Sequence, residues 1–109
     1  MSVDGFYFRA MEQNIIAVNS RLSRTKQLAV SFHEVGHLLF HAPVSGPAAG
    51  FHNIGHKTRQ EIEADVFSLC AMFPRTWIEN RSLEELLCEE GFPQEMIEER
   101  YRIFTTYGI

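Results

Sequence analysis

Five consecutive residues, His33-Glu34-Val35-Gly36-His37, have the types and spacing that metal-assisted hydrolysis needs. Residues i and i+4 lie on one face of a helix, so the two imidazoles of an H-E-x-x-H segment can bind one metal ion. The glutamate lies beside them. It can take a proton from a metal-bound water and pass it to a leaving group. The metal brings the pKa of that water toward neutrality. Chance alone puts this pattern into roughly a few chains in a hundred of such His and Glu content, so context has to support it. The plain alternative is a pair of surface histidines on an amphipathic helix. The context is a buried-looking helix that follows two strands, with an acidic motif downstream.

A catalytic zinc takes three protein ligands and keeps one position open. The third candidate lies in Glu61-Ile62-Glu63-Ala64-Asp65-Val66-Phe67. Glu61 and Asp65 share a face. Glu61 can bind the metal while Asp65 accepts a hydrogen bond from a ligating imidazole and fixes its tautomer. Glu63 lies about 200° around the helix from Glu61, so the two cannot both face the metal, and Glu63 stands as the alternative third ligand. The plain reading of Glu61 is a solvated first-turn glutamate favoured by the helix dipole. Ala64 is small enough to let the two helices pack closely.

H-E-x-G-H, then E-x-E-A-D-x-F, then Met72-Phe73-Pro74 resembles the ImmA/IrrE family of metallopeptidases, over a match that runs from about Ile15 to the end. The resemblance implies a zincin-like fold, with a short β-sheet packed on the active-site helix. It implies zinc held by His33, His37 and a glutamate of the second motif, with Glu34 as general base. It also implies cleavage of specific partner proteins, often helix-turn-helix transcriptional repressors. Many relatives read Leu-Met-Pro where this chain has Met72-Phe73-Pro74, and Ala where it has Ser68. Many also carry more helical sequence before the first strand, which implies a cleft here that is more open or completed by another chain.

Three further histidines lie nearby. His41 follows His37 by four residues and reads as a helix-end histidine favoured by the dipole. His52 and His56 sit in a Gly/Pro-rich stretch and read as exposed loop residues. His52 or His56, or alternatively Tyr7, Tyr101 or Tyr107, can be weighed as a hydrogen-bond donor to an oxyanion. Trp77, Phe92 and Phe104 read as core.

The elements that must position these residues follow from local pattern. Gly5–Phe8 and Ile15–Val18 read as an antiparallel strand pair, with Met11 to Asn14 as the turn. A helix from Lys26 to about Phe40, capped by Ser23 or Thr25, carries apolar residues on most of its sides and should be largely buried. Residues 42–56, rich in Pro and Gly, read as a loop. A second helix runs from about Lys57 to Met72 and stops before Pro74. Around Trp77 the chain reads as a short irregular or helical stretch. Ser82-Leu83-Glu84-Glu85 has capping-box spacing for a third helix ending at Gly91, and Pro93 opens a last one that runs to about Thr106.

The 109 residues fit one domain, 1–109, with 45% apolar and 22% charged residues. Residues 1–60 hold six basic and three acidic groups, and residues 61–109 hold four and eleven. This reads as a solvated acidic face on the C-terminal helices; no basic stripe points to nucleic acid. Cys70 and Cys88 read as buried reduced thiols, in keeping with a cytoplasmic protein. No signal peptide or membrane span is visible.

The expectation is an α+β, zincin-like chain: a small antiparallel sheet of two or three strands on the H-E-x-x-H helix, with about three further helices. Its function would be zinc-dependent hydrolysis of peptide bonds in a protein or peptide substrate, which the strand around Ile15–Asn19 can receive along its edge. Two rivals are a non-catalytic metal-binding module that holds a regulatory protein, and a metal-free interaction protein that uses its acidic helices. Glu34 argues against the first, because a structural metal site has no use for a base.

Overall fold

The computed structural model describes residues 3–43, 46–52 and 58–109. In chain order the elements are β1 (Gly5–Ala10), β2 (Gln13–Val18), α1 (Arg24–Phe40), β3 (Ala48–His52), α2 (Arg59–Met72), α3 (Arg75–Ile78), α4 (Leu83–Leu87) and α5 (Gln94–Tyr107). The class is α+β, with a three-stranded antiparallel sheet in the order β2-β1-β3. Four helices accompany α1, one more than expected, because the stretch around Trp77 closes a single helical turn as α3.

The β1–β2 hairpin is tighter than the sequence reading. Ala10 pairs with Gln13, leaving only Met11 and Glu12 in the turn. Both have positive φ, 52° and 65°, the signature of a type I′ connection whose twist matches that of the strands. Such turns favour Asn-Gly, so a Met-Glu pair gave no local signal for it. The other correction is β3, which lies inside residues 42–56, the stretch read as a loop. It pairs with β1, Phe6 opposite Phe51 and Tyr7 opposite Gly50.

Alternation along β1 divides its side chains between two faces. Gly5 and Tyr7 are buried against α1, while Phe6 packs on Phe51 on the other face, ring centroids 5.2 Å apart. Gly5 is where the sheet comes closest to the helix. A Cβ there would lie 2.5 Å from Val30 Cγ1 and 3.0 Å from the Ala17 carbonyl oxygen.

Ser23 caps α1 by accepting from Lys26 N. The buried residues of α1 are Ala29, Val30, His33, Glu34, Gly36 and His37, a single stripe at helical spacing. The expected burial on most sides is therefore not found. Leu28, Leu39 and Phe40 are half to two-thirds exposed, because the short sheet and α2 cover only one side of the helix. Thr58 caps α2 by accepting from Glu61 N at 3.2 Å. Where α1 and α2 meet, Gly36 stands opposite Ala64: a Cβ on Gly36 would be 3.5 Å from Ala64 Cα and 3.1 Å from Phe67 Cδ1.

The C-terminal helices form their own core of Ile78, Leu86 and Ile97, with Trp77 and Phe104 packed against it. Phe92 is a rim residue, 38% exposed, although its ring meets Phe73 edge-on at 5.0 Å. Ser82 and Glu85 form a reciprocal capping box, but α4 stops at Cys88 rather than reaching Gly91. Cys88 is exposed and Cys70 only partly covered, so the two free thiols are not both core residues. Arg100 is wholly buried. Its Nε donates to the Phe73 carbonyl oxygen at 2.7 Å, where α2 ends, and its second amino nitrogen donates to the Ile109 carbonyl oxygen at 2.9 Å. Among the described residues, no helix is long and apolar enough to cross a membrane.

Candidate metal centre

The close approach at Gly36 and Ala64 brings the first turn of α2 against the histidine stripe of α1. Glu61 is 6% exposed there and is not a solvated first-turn residue. Its carboxylate bridges the two imidazoles: Oε2 is 3.0 Å from His33 Nε2, and Oε1 is 2.8 Å from His37 Nε2. The two Nε2 atoms are themselves 3.1 Å apart. His33, His37 and Glu61 thus turn three potential donor atoms toward one point, and all three residues are buried.

This donor set fits a metal ion. Two imidazole nitrogens and one carboxylate oxygen are the ligands of many catalytic zinc sites. A tetrahedral ion with bonds of about 2.0–2.1 Å spans donor separations of about 3.3 Å. The observed 2.8–3.1 Å triangle needs only slight opening to match.

Each imidazole is also held from behind. His33 Nδ1 is 2.7 Å from Asp65 Oδ1. Burial by itself pulls the His33 imidazole down, but the hydrogen bond with Asp65, and the charges of Asp65, Glu61 and Glu34, outweigh it and leave the pKa above the ordinary histidine value. His37 Nδ1 is 2.9 Å from His41 Nδ1. The Tyr7 ring stacks on His37 at 6.2 Å, which puts β1 beside the site. Tyr101 packs in the C-terminal core and Tyr107 is 63% exposed.

Glu34 is fully buried. The sheet passes over it at Gly5, whose added Cβ would lie 3.5 Å from Glu34 Cγ. Glu63 points elsewhere. Its Oε2 is 3.0 Å from His41 Nε2, and its Oε1 accepts from Arg59 Nε at 3.1 Å. The hydrogen bond from His41, with help from Arg59 against desolvation, holds the Glu63 carboxyl below its usual range. The geometry therefore assembles His33, His37, Glu61 and Asp65, and leaves Glu63 outside the donor triangle. Of the remaining histidines, His41 backs His37 and is not simply a helix-end residue. His56 lies outside the described residues, and for His52 only the backbone, in β3, is described. The i, i+4 spacing of His37 and His41 was a visible signal for their contact.

The family model described as the IrrE N-terminal-like domain, peptidase M78, matches residues 1–103. No curated protein and no solved structure matches the chain. With nearly its whole length covered by that model, the chain belongs to the ImmA/IrrE, or M78, family of metallopeptidase-like proteins.

Proposed function

We propose that this chain is a zinc-dependent peptidase that cleaves a specific protein substrate, with residues 1–109 acting as one zincin-like catalytic domain. The observation that carries the reading is the buried triangle of His33 Nε2, His37 Nε2 and a Glu61 carboxylate, beside a buried Glu34 on the same helix stripe. His33, His37 and Glu61 would hold the ion. Bound there, zinc supplies Lewis acidity toward a carbonyl oxygen and a water molecule. The chain supplies the rest. Asp65 holds the His33 ring with its Nε2 toward Glu61. Glu34 takes a proton from the attacking water and returns it to the leaving amine. The sheet and the Tyr7 ring shield one side of the site, which strengthens the charge interactions within it.

Among the described residues β2 and β3 are the two sheet edges, and either could receive an extended substrate. A helix-turn-helix repressor is the substrate class the family resemblance favours, and a cytoplasmic setting suits two free thiols. The test is Glu34→Gln. The variant should bind zinc as the wild type does and lose hydrolysis of a susceptible protein by several orders of magnitude. Equal hydrolysis by both proteins would rule out Glu34 as the base. A zinc-loaded wild type that binds a regulatory partner without cutting it would favour the non-catalytic module.

A further inference from the structure

A third histidine, the C-cap residue of α1, continues the stripe of His33 and His37. His41 lies one turn further on, with its side chain 8% exposed. The hydrogen bonds around it form a directional chain. Glu63 is a carboxylate and can only accept, so a neutral His41 keeps its proton on Nε2, 3.0 Å from Glu63 Oε2. His41 Nδ1 is then an acceptor. It faces His37 Nδ1 at 2.9 Å, so His37 Nδ1 is the donor and carries the proton. That leaves the lone pair of His37 on Nε2, which is the nitrogen turned toward Glu61 and His33. Arg59 Nε donates to the second Glu63 oxygen at 3.1 Å and closes the outer end.

We propose that His41 and Glu63 are positioning residues for the metal centre: together they fix the tautomer and ring orientation of His37 so that Nε2 is presented as a ligand. The proposal rests on the metal-site reading above. It gives the acidic positions of α2 separate tasks. Glu61 enters the donor triangle, Asp65 backs His33 directly, and Glu63 backs His37 through His41. The two ligand imidazoles are thus held by two different devices, one carboxylate at first remove and one at second remove. A partner on the far nitrogen raises the basicity of a ligand imidazole and fixes its ring, and its loss typically lowers metal affinity by about 10–100-fold.

The test is zinc affinity of the full chain, measured by competition with a chromophoric chelator, together with thermal unfolding of the metal-free protein. His41→Leu removes the acceptor and should weaken zinc binding by about 10–100-fold. His41→Asn places an amide oxygen near the position of the lost Nδ1, and should restore affinity to within a few-fold of wild type. Metal-free unfolding should not follow this pattern. Glu63→Leu should weaken zinc binding in the same direction, but less. Wild-type affinity in His41→Leu, or equal losses in His41→Leu and His41→Asn, would overturn the relay while leaving the zinc site intact. Wild-type affinity in Glu63→Leu would remove its outer link. A wild-type chain that binds no zinc at all would overturn both the relay and the metal-site reading.

Discussion

Ser68 Oγ donates to the Ala29 carbonyl oxygen at 2.7 Å across the buried face between α2 and α1. The bond lies on the site's own scaffold, about two turns from Glu61 along α2 and about one turn before His33 along α1. The hydroxyl of Ser68 is thereby satisfied inside a packed helix–helix contact, where the side chain is buried.

Ser68→Ala should therefore cost about 0.5–1.5 kcal/mol of stability, the net worth of an ordinary buried hydrogen bond. It should leave zinc affinity unchanged. Urea denaturation of the metal-free chain reads the first, and chelator competition the second. A loss well above that range would mean that the hydroxyl holds more of the α1–α2 contact than one bond.

Gly5 and Gly36 both mark close approaches, but with different room to yield. A Cβ on Gly5 meets Val30 Cγ1 at 2.5 Å and a backbone oxygen at 3.0 Å, while one on Gly36 is tight only against the Phe67 ring edge, at 3.1 Å, and meets Ala64 Cα at an ordinary contact distance of 3.5 Å. Gly5→Ala forces the sheet off the helix above Glu34 and should cost about 1–3 kcal/mol. Gly36→Ala should cost less, since Phe67 is partly exposed and can turn, and alanine favours the helix over glycine by about 1 kcal/mol. Comparison of the two denaturation midpoints decides it; the reverse order would contradict this packing.

Arg100 ties the C-terminal helix to the end of α2 through the Phe73 carbonyl oxygen. Its removal strands a buried acceptor at a helix C-terminus and empties a fully buried site. Arg100→Ala should therefore destabilise by roughly 2–4 kcal/mol, from the lost charged hydrogen bonds and the cavity together. Thermal unfolding of the metal-free chain checks it, and a change below about 0.5 kcal/mol, the size of an ordinary surface substitution, would contradict the role.

Much of the architecture was legible because its signals are local. Ser23 and Ser82 stand where caps occur, and the spacing of His33, His37, Glu61 and Asp65 follows the helical repeat. β3 was not legible. Its sequence, Ala-Ala-Gly-Phe-His, has little strand preference of its own, and its existence depends on pairing with β1 about forty residues earlier. The burial of α1 was overestimated for a related reason. Apolar spacing shows which faces can be buried, but a chain this small has too few elements to cover Leu39 and Phe40. The contact between His41 and Glu63 depends on how α1 and α2 meet, so spacing revealed His41 beside His37 but not the carboxylate behind it.

The central claim is that His33, His37 and Glu61 hold one metal ion, and the direct measurement is metal content. Elemental mass spectrometry on the purified, untagged chain should find about one zinc per molecule in the wild type, the stoichiometry of a single three-ligand site. Glu61→Ala, measured in parallel, should show a clear loss, since it removes the carboxylate that lies within 3.0 Å of both imidazoles. No metal in the wild type after zinc is supplied, or the same metal content in the variant, would contradict the site as described.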